Sequence, residues 1–124
     1  MNPIRVSADW FAGQHLFSDE ADFQAQLVQA AKRIGWRVFH PHDSRRSEPG
    51  FPDLVLAHPR QKRVVFAELK SDVGTLTPDQ SWWAAALSAA GQEYHLFRYA
   101  DWDRALAVLR GEGGNDAKLV RTTR

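Results

Sequence analysis

The segment Val64–Leu69 (VVFAEL) is apolar on both alternating faces until its end, with Val64 and Phe66 on one side and Val65, Ala67 and Leu69 on the other. Such a run is a strand covered on both sides, so the chain must supply layers above and below a sheet. At the end the pattern breaks. Glu68 and Lys70 fall on the face of Val64 and Phe66, because side chains two positions apart in a strand point the same way. Opposite charges that enter or border a core are costly unless they are paired, hydrogen-bonded or bound to metal.

The rest of the chain supplies the layers. A helix is predicted from about Asp19 to Arg33, capped by Ser18 and ended by Gly35, with Phe23, Leu27, Ala30 or Ala31 and Ile34 as its apolar stripe. Glu20 and Gln24 lie on or beside that stripe, and taken alone Glu20 reads as a first-turn acid favoured by the helix dipole. Strands are expected at Trp36 to His40, Asp53 to Ala57 and Arg63 to Lys70, the last two joined by the short turn HPRQK. A second helix begins with Thr77 as cap, Pro78 at the first helical position and Gln80 completing a capping box. It runs to about Ala90, before a fourth strand at Glu93 to Tyr99 and a last helix from Trp102 to Leu109. This order predicts a single-domain α/β fold, a mixed sheet of about four strands flanked by helices.

Composition narrows the chemistry. The 124 residues suit one domain, and 44% hydrophobic with 25% charged content is that of a soluble globular protein. No apolar run approaches the roughly 20 residues that span a bilayer, and MNPIRVSADWF lacks the plan of a signal peptide. The expectation is a cytoplasmic protein with no membrane partner. The absence of cysteine excludes disulfides, thiolate catalysis and thiolate zinc sites. Any metal would be a hard cation such as magnesium or manganese on oxygen ligands, or one held by histidine. His40 and His42 are candidates for ligands or proton carriers, although loop histidines are more often surface or hydrogen-bonded groups. The formal charge of +1 conceals basic clusters at Arg45 with Arg46, at Arg60, Lys62 and Arg63, and at Lys118, Arg121 and Arg124. Each alone reads as a solvated patch.

The charged residues converge. Asp53 opens its strand just after Gly50 and Pro52, and a hairpin through HPRQK brings the start of one strand beside the end of the next. Asp53 then approaches Glu68 and Lys70, and Glu20 can reach the same sheet edge from the first helix. Glu68 with Lys70 alone would be an ion pair, and Asp53 alone a turn former. Carboxylates gathered together repel and need a cation, and one lysine neutralises only one of them.

The G-x-P-D-L at Gly50 to Leu54, the E-L-K at Glu68 to Lys70, the following Gln80 and the upstream E-x-x-F-Q at Glu20 to Gln24 together resemble the virus-type replication-repair nuclease (VRR-NUC) family. That family is a branch of the PD-(D/E)xK nuclease superfamily. The likeness runs from about Ser18 to Leu109. It implies a restriction-endonuclease-like core at residues 18–110, an N-terminal extension at 1–17 and a partly flexible tail at 111–124. It also implies Mg2+- or Mn2+-dependent hydrolysis of DNA phosphodiesters. By the family pattern Asp53 and Glu68 hold the metal with the Leu69 carbonyl and support from Glu20. Lys70 orients the attacking water and steadies charge, and Gln80 fixes Lys70 or the water. The loop with Ser44, Arg45 and Arg46 would contact DNA phosphates.

Family members made of the nuclease domain alone resemble phage proteins that act as dimers on four-way junctions. The expected partners are therefore branched DNA and a second copy of the chain. SWWAAALSAA fits a dimer, because Trp82 and Trp83 point about 100° apart and cannot both face one sheet squarely. A wide helix buried within the monomer is the other reading of that segment. Flap cleavage, sequence-specific cleavage on the same core and a non-catalytic DNA-binding module remain as alternatives.

Overall fold

The computed structural model describes residues 16–41 and 48–112. The elements are α1 (Glu20–Ile34), β1 (Arg37–Phe39), β2 (Leu54–His58), β3 (Arg63–Lys70), α2 (Pro78–Ala89), β4 (Glu93–Arg98), a 3-10 turn (Tyr99–Asp101) and α3 (Trp102–Arg110). The strands form one sheet in the order β1-β2-β3-β4. The first two pairings are antiparallel and the third is parallel, since β4 returns only after the α2 crossover. The expected mixed α/β fold is the one observed.

One cap differs from expectation. Asp19, not Ser18, caps α1, its side chain accepting from the Asp22 N–H at 2.8 Å. The Ser18 N–H instead donates to the Asp22 carboxylate at 3.0 Å, which holds Ser18 one residue outside the helix. That backbone donor, followed by Gln26, holds the Asp22 carboxyl below its usual range. Gly35 ends α1 at φ 120°, a conformation that side chains other than glycine's rarely adopt.

Strand alternation sorts the two layers. Val65, Ala67 and Leu69 share a face with Leu54 and Leu56, their partners or near partners across the hairpin, and with Phe97 of β4. Phe23 and Leu27 of α1 and Trp102, Leu106 and Leu109 of α3 pack on them as one buried core. The opposite face carries Phe66, Glu68 and Lys70, and there α2 and the preceding loop lie. Phe51 meets Phe66 at 6.2 Å and Trp83 at 4.9 Å. Helix α2 buries none of its residues, and Trp82 is 64% exposed. The two tryptophans do diverge, and the helix is not enclosed within the monomer.

The basic cluster at Arg60, Lys62 and Arg63 is not a uniform surface patch. Arg63 turns under the end of α3, where it pairs with buried Glu93, donates to the Val108 carbonyl at 2.9 Å and stacks over Trp36. Gln61 and Trp36 both donate to the Leu109 carbonyl at 2.9 Å, so two side chains satisfy a carbonyl that the helix end leaves without a backbone partner. Arg63 adds a second donor to the Val108 carbonyl, which also accepts from the Gly111 N–H at 3.1 Å. None of the described helices is long and apolar enough to cross a membrane. The tail cluster Lys118, Arg121 and Arg124 lies outside the described residues.

Candidate active site

The hairpin register builds the site. Leu54 pairs with Ala67 in an antiparallel ladder, so one step further sets Asp53 opposite Glu68 on the same face. Their carboxyl groups hydrogen-bond each other. Two carboxylates in contact repel, and one proton held between them relieves the repulsion. Asp53 Oδ2 also accepts from the Leu69 N–H at 2.8 Å. Burial raises the Asp53 carboxyl, and the Leu69 N–H and Lys70 work against that rise. Glu68 is 2% exposed. Burial, followed by the charge of Asp53, pushes its carboxyl up to about 8.

The capping box of α2 does a second job here. The Thr77 N–H donates to Gln80 Oε1 at 2.9 Å, while the Gln80 N–H donates to Thr77 Oγ1 at 3.1 Å. With its oxygen committed to the cap, the Gln80 amide presents Nε2 inward, where it donates to Glu68 Oε2 at 2.9 Å. Gln80 therefore touches Glu68 and ties it to the helix.

Glu20 arrives from the other layer. Helix α1 lies on the Val65 face, and its first turn reaches around the end of β3, where Glu20 Oε2 accepts from the Ser71 N–H at 3.0 Å. Its charge still acts on both Asp53 and Glu68. The expected meeting of three carboxylates is thus two in contact with a third at the rim. Among the described residues no group of three or more His, Asp or Glu side chains is placed to hold a metal ion, and His40 belongs to no such group. Lys70 supplies the opposing charge, lowering both carboxyl groups of the pair. A Cβ on Gly74 would stand 3.3 Å from both the Lys70 stem and Glu20.

Arg98, which sequence reasoning passed over, clamps the turn after Lys70 by donating to the carbonyls of Ser71 at 2.8 Å and Gly74 at 2.6 Å. Its parallel register with Lys70 is the signal, visible only once β4 is placed beside β3. Ser44, Arg45, Arg46 and His42 lie outside the described residues. Beside Asp53 opens a cleft of about 200 Å³ lined by Gln24, Glu48, Phe51 and Gln80 among others.

Asp53 depends on a tight approach of backbone. Gly50 sits at φ +81°, and a Cβ there would stand 2.4 Å from the Asp79 carbonyl carbon in the first turn of α2. Gly50→Ala is expected to push the loop off the helix and lower the melting temperature by about 5 °C or more. A thermal melt showing no change would remove this contact from the account.

The donor set fits a hard divalent cation. Two neighbouring carboxyl groups whose ionisation is opposed by burial offer oxygen ligands to an ion that would neutralise them, and magnesium is commonly held by one or two carboxylates with water and phosphate completing its shell.

A family model described as VRR-NUC domain matches residues 5–100. The fold is similar to that of a solved structure titled VRR_NUC domain, with a TM-score of 0.57 and 22% identity over 68% of this chain and 90% of that one. At that identity the likeness is one of fold. None of the curated proteins compared with the chain matches it.

Proposed function

The chain belongs to the VRR-NUC domain family, a family of nuclease domains, and from that premise we propose that it is a divalent-cation-dependent endonuclease selective for branched DNA such as four-way junctions. The observation that carries the reading is the buried contact of Asp53 with Glu68 beside Lys70. A folded chain has no structural reason to place like charges together in a core, since either could be replaced without loss of packing.

Asp53 and Glu68 would hold Mg2+ or Mn2+, with the Leu69 carbonyl as a further oxygen and Glu20 in support from the rim. When bound, the cation supplies positive charge at the phosphate and an acidic water at neutral pH. The chain's own residues do the positioning. Gln80 fixes one oxygen of Glu68, the Leu69 N–H fixes one of Asp53, and Lys70 adds a positive charge where negative charge develops in the reaction. Ser44, Arg45 and Arg46 are assigned to phosphate contacts that fix register without reading sequence.

A homodimer would set two such sites for two strands, and exposed Trp82 on α2 supports an apolar contact there. The proposed setting is the cytoplasm.

The test is cleavage of labelled four-way junction, flap, single-stranded and duplex DNA with Mg2+, Mn2+ or a chelator. The junction is expected to be nicked only with metal, and Lys70→Ala to lose about 10²–10³-fold while still binding DNA. Equal cutting of plain duplex would end the claim of branch selectivity. Tight metal-independent binding without cleavage would make the chain a binding module.

A further inference from the structure

Tyr94 stands beside Phe66 in the parallel register of β3 and β4, with Leu96 beside Glu68. Neighbours across a sheet share a face, so Tyr94 lies on the Glu68 side, two residues back along the strand. Strand side chains lean along the strand, and a tyrosine is long enough to bring its hydroxyl toward the next side chain but one. That hydroxyl oxygen is buried and has no hydrogen-bond partner among the described residues. Burial, then the charges of Glu68 and Asp53, push its own ionisation up to about 12, so it stays a neutral donor facing the two acids.

Tyrosine hydroxyls normally find a partner when buried, and a stranded one lowers stability. A phenylalanine would fill the same volume without that penalty. A ligating carboxylate, for its part, needs donors on the lone pairs that the metal leaves free, because they set its orientation and its strength as a ligand. Glu68 has one such donor in Gln80. Resting on the cation reading above, we propose that Tyr94 is a positioning residue whose hydroxyl supplies the second donor to Glu68, directly or through one water, when the carboxylate ligates the cation. Its hydroxyl is thus a cost to the metal-free fold that is recovered in the loaded one.

Tyr94→Phe separates the two states. Metal-free melting temperature, measured with a chelator, is expected to rise by about 3–5 °C. Mn2+ affinity by calorimetric titration is expected to fall by about 10-fold, so the Mn2+-induced rise in melting temperature shrinks. A merely structural role would move both melts in the same direction. A variant that melts lower without metal, or that binds Mn2+ as tightly as wild type, overturns the assignment of Tyr94. Wild type that binds no Mn2+, with Asp53→Asn behaving identically, overturns the cation reading and this assignment with it.

Discussion

Glu68→Gln is expected to abolish cleavage, by about 10³-fold, while making the metal-free protein more stable at neutral pH. An amide is close to an isostere of the protonated carboxyl. Its NH2 can donate to Asp53 and its oxygen can accept from Gln80, so the hydrogen bonds seen at Glu68 persist. What it lacks is a negative charge to offer a cation. The sign of the stability change follows from linkage. In the folded protein burial, followed by Asp53, pushes the Glu68 carboxyl from 4.5 up to about 8. Below 4.5 both folded and unfolded chains hold the proton and nothing is lost. Above it the unfolded chain ionises freely while the folded one resists, so stability falls as pH rises and the loss is complete above about 8. At pH 7 the amide is expected to recover on the order of 2 kcal/mol. Melting temperature against pH, in chelator, should decline between pH 5 and 8 for wild type and stay nearly level for the variant. Matching slopes would show that Asp53 and Glu68 share no proton.

Arg63→Met is expected to be the most destabilising single change away from the site, by about 3–5 kcal/mol, against a total stability of about 5–15 kcal/mol for a domain. Glu93 is 4% exposed and would be left as a buried charge. His95 remains at 2.9 Å but cannot replace the fork of the guanidinium. In the intact network burial opposes ionisation of Glu93. Hydrogen bonds from His95 and Arg63 and the Arg63 charge overcome it, and the carboxyl is held down to about 2. The contribution is therefore present above the ordinary 4.5 and lost as pH falls toward 2, so wild type should lose part of its acid resistance in that window. Denaturant melts of Arg63→Met, Glu93→Leu and the double variant check it. The double variant is expected to lie well above either single one, because it removes both charges together. Single and double variants of equal stability would show that the pair is not the source.

Several features were legible because they are local. The apolar run at Val64 to Leu69 predicted a strand covered on both faces, and β3 spans Arg63–Lys70 with Val65, Ala67 and Leu69 buried. On the other face Glu68 is buried and Val64 is 44% exposed, so cover there is only partial. Thr77, Pro78 and Gln80 predicted the start of α2, and both capping hydrogen bonds are present. The short turn after β2 made the approach of Asp53 to Glu68 readable, since a hairpin loop sets the register of its strands. Glu20 was harder. Its helix is evident from spacing, but the face of the sheet on which that helix packs is not, and α1 lies opposite the face that carries Glu68. Arg63 was read among surface charges because its partner Glu93 is remote in sequence and becomes a neighbour only when β4 returns in parallel.

The sequence by itself determined the order and type of elements, the strand β3 with its buried Val65, Ala67 and Leu69 face, and the pairing of Asp53 with Glu68, because periodicity, caps and short turns act over a few residues. Only the tertiary structure decided that Glu20 binds the Ser71 N–H at the rim, that Gln80 is turned onto Glu68 by its own cap, that Arg98 clamps the turn after Lys70, and that the Tyr94 hydroxyl is buried beside the acids. Each of those depends on elements far apart in the chain being pressed together, where burial makes an unpaired polar group expensive and proximity decides which group meets it.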